Sequence, residues 1–303
     1  MIASDHLALA AVAEEAAAER AVALCTIIGI DGSFSRRLGA QLAVRADGST
    51  VGDLSDGCLE AALSKDALES MVDGRRRVMR YGKGSPIIDF RLPCGGGLDI
   101  VIDPLVDGAV AAQAMQRLSM RQAVTLALPM MPDGGAMELL DGGAHAATGH
   151  FSRQYIPALR VLAVGAGPEP EALCRLATTF GALCDRLAPI DGSGAGQLSL
   201  GRAPDTAAVD AWTAIILLFH DHEWEAGLLP WAVESPAFLV GAQGGAKARA
   251  NREELLAGLG YDAAVIARVH GPVGLIARAR DPNVLALSIL AECVGQYERL
   301  MPG

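Results

Sequence analysis

Apolar residues occur in this chain as short runs, each stopped by glycine or by charge, and their rhythm changes near the middle. Residues 5–20 are alanine-rich with a polar face and predict a helix. The nearly unbroken apolar run at residues 21–30 predicts a buried strand, with Cys25 inside it as a core residue. Residues 41–45 and 50–51 flank Asp47-Gly48, a hairpin signal. A helical run follows from Cys58 to residue 68, then strands at 75–81 and 98–102, a helix at 106–119, and strands near 123–128 and 136–140.

From residue 159 the pattern becomes strand, glycine turn, helix, repeated. Strands are predicted at 159–164, 183–187, 212–219, 238–241 and 265–269, and helices at 169–180, 227–234, 246–256 and 282–298. Such alternation marks a doubly wound parallel sheet. The fold class is therefore α/β: an N-terminal mixed α/β domain over residues 1–150 and a C-terminal Rossmann-like domain over 155–303. The small, polar segment at 142–149 is the expected boundary. A length of 303 residues agrees with two domains.

Composition narrows the function. A net charge of -10 with no basic stripe argues against a nucleic-acid partner. The longest apolar runs are too short to cross a bilayer, and Asp5, Glu14 and Glu15 do not suit a signal peptide. The six cysteines (Cys25, Cys58, Cys94, Cys174, Cys184, Cys293) form no CxxC pair or regular framework. That pattern predicts reduced thiols in a cytoplasmic protein, with Cys174, Cys184 and Cys293 as packing residues.

Two cysteines stand in different surroundings. Cys58 follows Gly57 and opens a predicted helix, and Cys94 precedes Gly95, Gly96 and Gly97 at the entrance of a predicted strand. A thiolate at a helix N-terminus is favoured by the free amides and the dipole. Consecutive glycines leave room for a ligand and can turn their amides into an anion-binding nest. Arg36 and Arg37, in the loop after the first strand, are candidates to clamp an anion near Cys58. The expectation is that the two cysteine loops share one site; two structural turns with buried thiols are the alternative.

In the second domain, Gly165-Ala-Gly167 has the strand-turn-helix context of a dinucleotide fingerprint. Pro170 occupies the third glycine position, Asp185 comes early for a ribose-binding acid and Asp191 late. An NAD(P) site and a bare structural turn both remain open. His220-Asp-His222-Glu223 follows the next long strand; on extended backbone the two imidazoles would point the same way, so a metal or a hydrogen-bonded loop fits. Lys247, Arg249 and Arg252 face either a phosphate or water.

Taken in order, Gly57-Cys58-x-Glu60, Cys94-Gly-Gly-Gly97, Val164-Gly-Ala-Gly167, His220-Asp-His-Glu223, His270-x-Pro-x-Gly-Leu275 and the 286–292 segment resemble the XdhC/CoxI family over nearly the whole chain. This chain departs from the family pattern at Pro168, usually histidine, and at Ala188-Pro189-Ile190, usually Asp-Pro-Arg. The resemblance implies an accessory protein, not a turnover enzyme, that binds the molybdenum cofactor (molybdopterin), lets it acquire its terminal sulfur and passes it to a xanthine dehydrogenase-type apo-hydroxylase. It implies a cysteine desulfurase as second partner and is compatible with a homodimer. Under that resemblance the cofactor-binding set is Arg36, Arg37, Cys58, Glu60, Cys94, Gly95, Gly96, Gly97, Gly165, Gly167, His220 and His222, with Cys58 and Cys94 at the metal. The alternative is a nicotinamide-dependent oxidoreductase using the Gly165 turn.

Overall fold

The computed structural model describes residues 4–54, 58–86, 95–141, 146–189, 196–204 and 208–301, of which Ser4, Asp5, Cys58, Gly196 and Gln197 are described by backbone alone. The chain divides after Pro157 into two compact units.

Unit 1 runs α1 (Ser4–Ala17), β1 (Val22–Asp31), β2 (Gln41–Arg45), β3 (Thr50–Gly52), α2 (Cys58–Asp73), β4 (Arg77–Gly82), β5 (Gly97–Asp103), α3 (Gly108–Ser119), β6 (Val124–Pro129), β7 (Glu138–Leu140) and β8 (His150–Tyr155). Five strands form an antiparallel sheet in the order β3-β2-β1-β5-β4, and β7-β6-β8 form a second sheet. Side chains alternate along a strand, and β1 buries both sets. Ala23, Cys25 and Ile27 pack with Leu59, Leu63 and Ala67 of α2. Val22 and Leu24 pack with Leu9 and Val12 of α1, Ala111 and Ala114 of α3, and Leu126 of β6. One helix on one face and two helices plus a second sheet on the other explain why residues 21–30 carry no polar alternation. Burial pushes the Cys25 thiol up to about 12, as for a packing residue.

Unit 2 runs β9 (Arg160–Gly165), α4 (Pro168–Phe180), β10 (Leu183–Pro189), β11 (Gly196–Leu198), β12 (Thr213–Leu218), α5 (Glu225–Glu234), β13 (Leu239–Ala242), α6 (Ala246–Gly258), α7 (Ala263–Ile266), β14 (Val269–His270) and α8 (Pro282–Glu298). The order is β11-β10-β9-β12-β13-β14, every pair parallel. Renumbered within the unit, this is the 3-2-1-4-5-6 order of the dinucleotide-binding fold. Leu162, Ile215 and Val240 on one sheet face pack under Leu228 and Leu229 of α5 and Leu256 of α6.

Two expectations are corrected by the fold. The segment at 265–269 is not a strand throughout: Asp262 Oδ1 accepts the Val265 N–H at 2.9 Å and starts the short helix α7. Only Val269 and His270 join the sheet, beside Val240 and Gly241. Cys174 and Cys184 are not separate reduced packing residues; they form a disulfide from α4 to β10. The ten-residue separation, folded back at Gly181, brings their Cα atoms to 5.2 Å.

Candidate functional site

In unit 1 the strand register gathers the candidate residues at one end of the five-stranded sheet. Asp31, the last residue of β1, pairs with Gly97, which in turn pairs with Gly82, the last residue of β4. Leu42, near the start of β2, pairs with Gly52, the last residue of β3. The segments containing Cys58 and Cys94 therefore leave the sheet at the same end. Gly97 has no alternative there, because a Cβ would overlap the Arg80 guanidinium and the Lys83 carbonyl. Gly96 accepts the Lys83 N–H at 2.9 Å, and a Cβ on Gly32 would come within 3.5 Å of its Cα. Gly95 adopts φ 69°, in the left-handed region.

Cys58 is the first residue of α2, and Glu60 lies in its first turn. The Glu60 carboxylate accepts the Leu54 N–H at 3.0 Å, so it ties the helix start back to the end of the preceding segment. Arg36 donates to the Asp53 carboxylate and, through Nε, to the Asp53 carbonyl at 3.1 Å. That bond links the β1–β2 loop to the segment leading into α2; both partners are partly exposed. Arg37 lies in the same loop. Cys94 and the Cys58 side chain lie outside the described residues, so this end of the sheet is described by Arg36, Asp53, Glu60 and Gly95 to Gly97. Asp53 was not anticipated from sequence; an acid directly after the third strand, facing an arginine loop, is the signal.

In unit 2 a cavity of about 420 Å³ opens at the carboxyl end of the sheet, lined by residues that follow the ends of β9, β12 and β13. Ligands bind open α/β sheets at this end. Phe219, Val273 and Ile276 contribute apolar wall; Glu169, His220 and Gln243 contribute polar groups. Phe219 is stacked on Trp224 with ring centroids 5.2 Å apart. His222, Arg278 and Arg280 line the same cavity.

The glycine turn is built as a dinucleotide fold requires, but the helix after it is not. A Cβ on Gly165 would collide with the Leu218 carbonyl, and Gly167 has φ 101°. α4 then begins Pro168-Glu169-Pro170, with no side-chain cap. Two of these three residues have no N–H, and the third carries a carboxylate directed back toward the turn: a Cβ on Gly167 would lie 3.1 Å from Glu169 Oε2. A diphosphate needs those amides and is repelled by that charge. Asp185 cannot supply the ribose contact, since it sits mid-strand opposite Leu162 with Arg160 Nε 3.3 Å away. Asp191 lies outside the described residues. The groups present at the turn do not fit a nicotinamide dinucleotide.

The paired histidines are also arranged differently from the expectation. Asp221 accepts the Glu223 N–H at 3.0 Å and caps a 3₁₀ turn over His222–Trp224, so the backbone is not extended. His220 Nε2 lies 3.2 Å from Glu169 Oε1, and His222 Nδ1 lies 3.1 Å from Glu225 Oε1. Each imidazole has its own carboxylate. Among the described residues no group of three or more His, Cys, Asp or Glu is placed to hold a metal ion. Arg252 does not face a phosphate: it is 3% exposed and bonds Glu225 through Nε at 2.8 Å and Nη2 at 2.6 Å. Arg249 pairs with Glu253 at 2.8 Å on the surface. Glu169 and Gln243 were missed in the sequence; an acid between two prolines directly after a glycine turn is the signal for the first.

Comparison with known proteins places both units. Residues 15–82 match the XdhC and CoxI family, and residues 161–293 match the XdhC Rossmann domain. The chain is 34% identical over 293 residues to the molybdenum cofactor insertion chaperone PaoD of Escherichia coli K12, covering 95% of this chain and 87% of that protein. Its fold is similar to that of a Bacillus halodurans protein whose crystal structure is described as a xanthine dehydrogenase, with TM-score 0.70, 17% identity, and coverage of 97% and 96% of the two chains.

Proposed function

Because the chain belongs to the XdhC and CoxI family, we propose that it binds the molybdenum cofactor and delivers it to a xanthine dehydrogenase-type molybdenum hydroxylase, without turning over a substrate of its own. The observation that carries this reading is the likeness, along nearly the full chain, to an insertion chaperone. The chemistry at the end of the unit 1 sheet supports it. Cys58 heads a helix, where a thiolate is favoured, and thiolate sulfur suits a molybdenum–sulfur centre. Arg36, held at this end of the sheet by Asp53, and Arg37 in the same loop are the cations proposed for an anionic cargo, and exposed Gly95 brings backbone to it without side-chain bulk.

Further parts of the proposal are a cysteine desulfurase that furnishes the terminal sulfur, a homodimeric state and a cytoplasmic location. The nicotinamide-dependent alternative is disfavoured by the prolines and the carboxylate at the start of α4. Titration with NAD(H) and NADP(H) is expected to give no saturable binding.

The decisive experiment co-expresses the chain with the cofactor pathway and measures molybdenum and oxidised-pterin fluorescence in the purified protein. Cys58→Ser and Cys94→Ser, singly and together, are expected to lose most of the bound molybdenum. Full retention in the double variant removes the thiols from the mechanism. Unchanged activity of the hydroxylase in cells lacking this chain removes delivery altogether.

A further inference from the structure

The unit 2 cavity presents acceptors where its fold class usually presents donors. Glu169 has one carboxylate oxygen 3.2 Å from His220 Nε2 and the other buried with no hydrogen-bond partner among the described residues. The Gln243 side-chain oxygen is likewise buried and unpartnered, on a residue 8% exposed. Both residues line the cavity. A buried acceptor left unpaired costs about 1–3 kcal/mol, so two in one cavity favour a ligand that brings N–H groups to them. Phe219, Val273 and Ile276 offer apolar wall to a ring. Arg278 and Arg280 also line the space, which argues against a bare cation and in favour of a ring whose other end is anionic.

We propose that the unit 2 cavity binds a planar nitrogen heterocycle by its 2-amino-4-oxo edge, Glu169 and Gln243 accepting its N–H groups, and that in the chaperone this ring is the pterin of the cargo. The adjacent ring N–H and exocyclic amino group of such an edge match a carboxylate as a guanidinium does, with two parallel donors. Guanine shares the edge; the choice of pterin rests on the chaperone reading. The start of α4, with its missing amides, is excluded as a phosphate site, so the ring and not a diphosphate occupies the space beside Glu169. Nothing is required of the cysteine loops of unit 1.

The test uses the full chain and free 6-hydroxymethylpterin, followed by its own fluorescence. Saturable binding is expected, weakened about tenfold to a hundredfold by Glu169→Gln, the effect of losing one hydrogen bond to a charged group. Gln243→Leu, close in volume, is expected to weaken binding in the same sense and serves if Glu169→Gln does not fold, as judged by its thermal transition. Inorganic pyrophosphate and NAD should not displace the pterin. Displacement by either, undiminished binding by a folded Glu169→Gln, or absence of saturable binding overturns the assignment; tighter binding of guanosine overturns the choice of pterin. Hydroxylase activation in cells is scored separately. Activation that needs the chain while pterin binding ignores Glu169 defeats the cavity assignment alone, and activation without the chain defeats the chaperone reading alone.

Discussion

Glu15 shows how one side chain can join elements that the hydrophobic pattern treats separately. It lies on α1, takes Arg20 Nε at 2.6 Å and Nη2 at 3.1 Å, and takes Arg45 Nε from β2 at 2.8 Å. The hydrogen bond from Arg20 does most to hold its carboxyl below the ordinary 4.5, with Arg45 adding to it against the opposing effect of burial. A pKa depressed in the folded chain means the unfolded chain binds the proton more tightly. The stabilisation is therefore complete above the unfolded value and is lost as pH falls through the folded one. Glu15→Gln should lower the urea midpoint at about pH 7, and the gap to the parent should narrow as pH falls below the ordinary carboxylate range and the parent carboxyl takes up its proton in turn. A gap independent of pH would mean that the charge does not act as the geometry indicates. Arg252 carries the opposite lesson about reading charge from sequence. Its run with Lys247 and Arg249 looks like a basic face, yet it is committed to Glu225, which lies 27 positions away and which no local pattern connects to it.

At the scale of elements, the glycine turn after β9 is a packing device whatever it binds. Gly165 pairs with Leu218 across the parallel sheet, and its missing Cβ leaves the space the Leu218 carbonyl fills. Gly165→Ala should destabilise unit 2 by about 1–3 kcal/mol, seen as a lower unfolding midpoint, with no parallel loss in unit 1. A variant as stable as the parent would show that the two strands can separate freely at this point. Strands and helices of this length were legible because each has its own apolar period: β1, β9, β12 and α8 all fall where the runs predict. The end of the sheet carrying the Cys58 and Cys94 segments was legible only in part, since two glycine-edged loops can be recognised in sequence but their common origin depends on strand register. The features that escaped the sequence depend on contacts far along the chain or on single caps. Asp262 turned an expected strand into a helix, Asp221 curled an expected extended segment, and the Cys174–Cys184 link needed the α4–β10 fold-back that sequence spacing does not display. Residues 150–155 lack clear alternation and became β8 because β6 offers an antiparallel edge.

For the whole molecule, three clusters of described core residues each stay within one unit. Leu9, Leu24, Leu42, Leu63 and Ile100 close two cores in unit 1, and Leu162, Ile215, Leu228 and Val240 close one in unit 2. Domains of about 150 residues bury about 68–70% of the surface of their unfolded chain, enough to fold alone. Residues 1–157 and 158–302, expressed separately, should each unfold in a single cooperative transition. The division also parts the two halves of the chemistry: the cysteine segments belong to the first fragment, the Glu169 cavity to the second. The second fragment should therefore bind free pterin as the full chain does, while neither fragment alone should restore hydroxylase activity in cells lacking the chain. If the second fragment folds cooperatively but has lost the pterin, the cavity needs something from unit 1, and the acceptor pair at Glu169 and Gln243 is insufficient by itself. If the first fragment alone restores activity, delivery runs on the cysteine segments, and the parallel sheet serves another purpose.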